Sequence, residues 1–112
     1  MAEPRRAVRV APQVVAFVQS QAPEARRRLR LALRALERGR GDLKPLEGRL
    51  AGYHRLRIGA TRVIVRFGVL AGGGPATFCV FAERRSLVYV LLEDLLERGL
   101  SNPLSDATSR PA

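Results

Sequence analysis

Gly52-Tyr53-His54-Arg55-Leu56-Arg57-Ile58-Gly59-Ala60-Thr61-Arg62-Val63-Ile64-Val65-Arg66-Phe67 is the stretch from which the rest of the chain is read. Tyr53–Ile58 and Thr61–Phe67 each alternate with the period of a strand. Gly59 and Ala60 separate them, and a two-residue loop led by glycine suits a type II′ hairpin. In that register Ile58 opposes Thr61, Arg57 opposes Arg62, Leu56 opposes Val63, Arg55 opposes Ile64 and Tyr53 opposes Arg66. Successive side chains point to opposite faces. One face then carries His54, Leu56, Ile58, Val63, Val65 and Phe67, the side expected to pack on helices. The other carries Tyr53, Arg55, Arg57, Arg62, Ile64 and Arg66. Like charges directly opposite each other destabilise a sheet, and neither strand holds a carboxylate to relieve them. The arginine face therefore reads as an anion-binding surface, with a solvated outer face as the alternative. The reading depends on loop parity, because an odd loop would part Arg55 and Arg57 from Arg62 and Arg66. Arginine suits such a surface, because its planar fork meets phosphate oxygens in bidentate fashion and keeps its charge.

Upstream, Ala7–Val10 reads as a short strand, and Pro12 suits the first turn of a helix. Val14, Phe17 and Val18 give a short helix a single apolar stripe to about Gln21. Pro23 and Glu24 start a second helix, with the acid where the helix dipole favours it. Ala25, Leu29, Ala32, Leu33 and Leu36 form its apolar face; Arg26, Arg27, Arg28, Arg30, Arg34 and Arg38 cover the rest. Gly39 and Gly41 end it. The two helices make a helical hairpin with one basic outer surface, read either as a solvated face or as a phosphate-facing one. Asp42–Ala51, with Pro45 and Gly48, reads as a loop.

Downstream, Leu70–Pro75 holds three consecutive glycines and reads as a flexible connection, and Thr77–Ala82 as another strand. Ser86 suits the cap of a last helix from Leu87 to about Arg98, closed by Gly99, although Leu87–Leu92 also fits an extended strand. The architecture expected is α+β: a small antiparallel sheet packed against an N-terminal helical hairpin, with a C-terminal helix. Residues 1–100 form one domain; 101–112, polar and with two prolines, read as a disordered tail.

The chain has 112 residues, a size for one domain with one modest core, and 46% of them are hydrophobic. Its formal charge is +10, and Lys44 is the single lysine among 20 basic residues. Such an excess of positive charge repels itself in a compact chain, and polyanions are its default partners. The lone Cys79 has no partner for an internal disulfide and lies between Phe78 and Val80, so it reads as a small buried hydrophobe. No apolar run approaches the ~18 residues of a membrane span, and no secretory pattern is present; a cytoplasmic location without membrane contact is expected. His54 tempts as a general base, but the register turns it to the core face. Glu93, Asp94 and Glu97 read as a solvated stripe, and Gly72-Gly73-Gly74 lacks the residues of a phosphate loop.

The run Leu46-Glu47-Gly48-Arg49-Leu50-Ala51-Gly52-Tyr53-His54-Arg55-Leu56-Arg57-Ile58-Gly59-Ala60-Thr61-Arg62-Val63-Ile64 resembles the central hairpin of the RelE/ParE toxin superfamily, and Arg84-Arg85-Ser86-Leu87-Val88-Tyr89 is similar to that family's closing basic-x-x-Val-Tyr segment. The likeness spans roughly residues 5–98. It implies the toxin of a bacterial toxin–antitoxin pair, with the RelE-like branch favoured: an endoribonuclease, free of metal and cofactor, that cuts mRNA on the ribosome and represses translation. It implies that Arg55, Arg57 and Arg62 bind and polarise a phosphate, that Arg85 contributes from the far side, and that Tyr89 assists proton transfer or stacks on a base. Arg66, Arg84 and Tyr53 join the phosphate- and RNA-binding surface. It also implies an acidic antitoxin over the basic sheet face and an apolar groove near the last helix, at Leu91, Leu95 and Leu96. The sequence departs from the family at Ala60, Thr61, Val65 and Glu83, and arginines at 55 and 57 cannot readily move protons. Two alternatives stay open: a ParE-like, non-nucleolytic poison of DNA gyrase, and a plain nucleic-acid-binding module.

Overall fold

Three strands in a row, Asp42–Pro45 (β2), His54–Ile58 (β3) and Thr61–Val69 (β4), form an antiparallel meander, and everything else in the computed structural model, which describes residues 5–97 and 110–111, is arranged on it. Pro75–Arg84 (β5) continues the meander antiparallel to β4. The first strand, Ala7–Val10 (β1), then pairs with the far side of β5, and it does so in parallel. Arg110–Pro111 (β6) lies antiparallel on β1, giving the order β2-β3-β4-β5-β1-β6. Of the tail, 101–109 and 112 lie outside the described residues.

The helices are Pro12–Gln19 (α1), Pro23–Ala35 (α2) and Val88–Glu97 (α3). Proline opens both α1 and α2, where its missing N–H costs nothing and its fixed φ is already helical. α2 tightens into a 3₁₀ turn at Leu36–Arg38 and stops at Gly39, whose φ of 69° is a left-handed conformation that favours glycine. Val14 and Val18 from α1 and Leu29, Leu33 and Leu36 from the α2 segment pack with Leu56, Ile58, Val63 and Val65 of the hairpin. This is the first core, on the face read from the alternation.

Three expectations are corrected. The sheet is mixed rather than antiparallel, because β1 is parallel to β5; residues 11–74 supply the long crossover that parallel pairing requires. Asp42–Pro45 is a strand rather than the start of a loop. Leu43 packs partly buried against the first core, and Pro45 is tolerated because β2 is an edge strand. The arginine face is not wholly open either. α3 and the 46–53 segment cover half of it with a second core of Leu50, Tyr53, Ile64, Val80, Phe81, Val88 and Leu92. A register shift between Ile64 and Val65 leaves Val80 unmatched in β5, and both Val80 and Phe81 then face α3.

The hairpin turn is of the kind read from the sequence. Gly59 has φ 59° and no non-glycine residue among those described has positive φ, which fits a II′ turn and not a I′ turn, where both central residues need it. Ile58↔Thr61, Arg57↔Arg62, Leu56↔Val63 and Arg55↔Ile64 are paired as the two-residue loop dictates. Cys79 is 1% exposed, and burial pushes its thiol up to about 12. His54 lies on the first-core side, edge-on to Phe67 with ring centroids 4.7 Å apart. Arg6 stacks on that same Phe67.

Candidate nucleic-acid interface

β3 delivers Arg55 and Arg57 to one face because they are two residues apart on a strand. β4 adds Arg62 directly opposite Arg57. The backbone N–H of Arg85 donates to the Ala60 carbonyl at 2.9 Å, which hooks the segment after β5 onto the hairpin turn. One more turn along, α3 brings Tyr89 to the same place. Arg55, Arg57, Arg62, Arg85 and Tyr89 therefore line one open basin of about 430 Å³ together with Lys44, Leu46 and Ser86. That volume lies in the size range of small-ligand sites.

The arginines are held in different ways. Arg62 is only 8% exposed, and its Nη1 donates to the carbonyls of Gly59 at 2.8 Å and Thr61 at 3.0 Å. Burial first, and then the positive charges of Arg55, Arg57 and Arg85, hold its guanidinium below the ordinary arginine value, while Tyr89 acts in the opposite direction. It remains a cation, since arginine starts so high. Arg57 donates from Nε to Asp42 Oδ2 at 2.7 Å, and Arg55 approaches the other oxygen of Asp42 at 3.9 Å. The repulsion left unrelieved by β3 and β4 themselves is thus eased from β2. Asp42 sits opposite Arg57 in the β2–β3 ladder, where cross-strand opposite charges are favourable. The cations lining the basin outnumber this carboxylate and leave the basin strongly positive.

Three other candidates lie outside the basin. Tyr53 is on the same sheet face but is buried in the second core, and Arg66 stacks over its ring at 5.7 Å. Arg84 is exposed and opposes Thr61, so it projects to the opposite side of the sheet from Arg62. At α3, Leu96 is half-buried against the second core, and the side chains of Leu91 and Leu95 lie outside the described residues. The apolar surface seen there is instead Leu87 and Val90. Among the described residues, no group of three or more His, Cys, Asp or Glu side chains is placed to share a metal ion, and no helix is long and apolar enough to cross a membrane.

Lys44 and Ser86 in the basin escape a reading of the sequence. The signal for Lys44 is Leu43 set between charged neighbours, a half-buried edge-strand pattern shorter than most strands. Ser86 draws notice only as a helix cap, yet the helix begins two residues later.

No protein-family model and no curated protein matches the chain. A solved structure does: the toxin–antitoxin complex RelBE2 from Mycobacterium tuberculosis, 19% identical, superposing over 72% of this chain and 99% of that one with a TM-score of 0.53. At that identity the likeness speaks to architecture, and with the hairpin, the mixed sheet and the three helices already in view, the chain has a RelE-like fold.

Proposed function

We propose that this protein is the toxin of a toxin–antitoxin pair and that it cuts RNA, with mRNA on the ribosome as substrate. The observation that carries the reading is the clustering of Arg55, Arg57, Arg62 and Arg85 with Tyr89 in one basin. Attack of a 2′-hydroxyl on the adjacent phosphate passes through a transition state with extra negative charge on the phosphoryl oxygens. Guanidinium groups aimed at the phosphoryl oxygens stabilise that charge more than they stabilise the substrate. Arg62 is held by the turn carbonyls and needs little reorganisation; Arg57 and Arg55 add charge from β3, and Arg85 from the segment hooked to the hairpin turn. Tyr89 supplies a phenol at the α3 rim. An acidic antitoxin fits the same basin by charge, with Leu87 and Val90 offering apolar contact beside it.

Arg57→Ala is the clean test, because the Arg57–Asp42 pair is half exposed whereas Arg62 also holds the turn. Induction of the parent in a bacterial host is expected to create new mRNA 5′ ends inside translated codons. Arg57→Ala should lose them by about 10²–10³ in rate while keeping its thermal transition. Full cleavage by the variant would remove Arg57 from the site. A second reading, a DNA-gyrase poison without chemistry of its own, is favoured by Glu83, which opposes Arg62 in the β4–β5 ladder and adds an acid beside the basin. Growth arrest with gyrase-linked DNA breaks and intact mRNA would select it.

A further inference from the structure

Resting on the endoribonuclease reading, we propose that Lys44 is a catalytic residue of the basin, the proton donor to the departing 5′-oxygen of the RNA. Arginine carries charge but does not release its proton at accessible pH, so the four guanidinium groups can stabilise the reaction and cannot perform its proton transfers. Among the lining side chains, lysine and tyrosine are the types that can, and they come from different elements, β2 and α3. Lys44 lies directly opposite Arg55 on the edge strand β2, so the two share a face with Cβ atoms roughly 5 Å apart. Arg55 and Arg57 lie on β3, Arg62 on β4, Arg85 between β5 and α3, and Tyr89 within α3. Lys44 and Tyr89 thus reach the basin from different elements, together with the four guanidinium groups.

In-line displacement puts the attacking 2′-oxygen and the departing 5′-oxygen on opposite sides of phosphorus, so the group that protonates the second is distinct from the one that takes the proton of the first. The 2′-oxygen forms its bond to phosphorus and its proton passes to water. The bond from phosphorus to the 5′-oxygen breaks, and the ammonium of Lys44 gives that oxygen a proton. The products are a 2′,3′-cyclic phosphate and a 5′-hydroxyl, and Lys44 is reprotonated from solvent. Two residues earlier on the same face, Asp42 is engaged by Arg57, and Lys44 makes no ion pair among the described residues.

Lys44→Arg keeps the charge and removes the transferable proton. The test is single-turnover cleavage of mRNA on programmed ribosomes, with the scissile linkage bridged by 5′-oxygen or by 5′-sulfur, whose thiolate leaves without protonation. Lys44→Arg is expected to cut the oxygen substrate about 10²–10⁴-fold more slowly at an unchanged half-saturating concentration, and the sulfur substrate within a few-fold of the parent. Arg57→Ala should be slow on both. Parental cleavage of the oxygen substrate by Lys44→Arg overturns the proposal, as does an equal deficit on both substrates, which would make Lys44 a charge and nothing more. A parent that cuts neither substrate sinks the endoribonuclease reading itself, and Lys44's role with it.

Discussion

Replacing Gln13 by alanine should destabilise the protein by about 2 kcal/mol, and the figure follows from one contact. β1 covers the edge of β5 only as far as Cys79, where the Ala11 N–H donates to the Cys79 carbonyl. Beyond that point Ala82, 0% exposed, turns its N–H and its carbonyl toward α1. The Gln13 side chain meets both: its Oε1 accepts from the Ala82 N–H at 2.7 Å, and its Nε2 donates to the Ala82 carbonyl at 2.6 Å. An intramolecular hydrogen bond is worth about 0.5–1.5 kcal/mol net, and a buried group left without one costs about 1–3 kcal/mol. Gln13 is itself partly exposed, so water reaches the vacated site and the lower part of that range applies. For a domain of this size about 2 kcal/mol lowers Tm by about 8–16 °C. Urea denaturation followed by circular dichroism, with the m-value checked for constancy, measures it. The position also bears on function, because Arg85 follows Ala82 by three residues along the same stretch. A loss below about 0.5 kcal/mol would show that the amide clip does not hold the end of β5.

Asp42→Asn removes the carboxylate beside the basin while keeping its shape. A half-exposed pair of this kind contributes little, so stability should fall by less than about 1 kcal/mol. Releasing Arg57 to phosphate should steepen the log–log salt dependence of single-stranded RNA binding by about 0.7; fluorescence anisotropy across a salt series measures this, and an unchanged slope would mean that Asp42 never competes for Arg57. Cys79 should resist disulfide-exchange reagents at about pH 8 in the folded protein and react once urea unfolds it, since its thiol is raised from 9.0 to about 12 by burial. The folded state holds this proton more tightly than the unfolded one. The parent should therefore lose stability relative to Cys79→Ala as pH rises from about 9 toward about 12, and show no such pH-dependent difference below that window. Equal labelling of folded and unfolded protein would refute the burial argument.

The hairpin is legible in the sequence because a two-residue loop leaves only one parity. Once Gly59 and Ala60 are the turn, the alternation of β3 and β4 assigns every side chain to a face. The α2 stripe is legible for the same local reason. β2 is not, because Asp42-Leu43-Lys44-Pro45 is short and ends in proline, and only its pairing with β3 makes it a strand. The parallel docking of β1 is a contact between distant segments with no local signature. The second core escapes the alternation because Ile64 and Tyr53 fall on the arginine face, and nothing local says that α3 covers part of it. The apolar run Phe78–Phe81, with Val80 bulged, is the available sign that β5 is covered on both sides. Of the candidate site, the cations are visible in the sequence; the way the fold gathers Arg85 and Lys44 beside them, and shuts Tyr53 away, depends on tertiary pairing.

The late pairing of β1 also sets an order of events during synthesis. Arg6 and Ala76, whose hydrogen bond ties β1 to the start of β5, are 70 residues apart. At translation rates of about 5–20 residues per second, about 4–14 s separate their appearance. Through that interval the nascent chain exposes an unpaired first strand, and it has neither β5 nor the hook from Arg85 to the hairpin turn. The basin is therefore assembled only after nearly the whole domain has left the peptide exit tunnel. On the endoribonuclease reading, a nascent chain that has not yet made β5 and Arg85 also lacks a complete site for RNA.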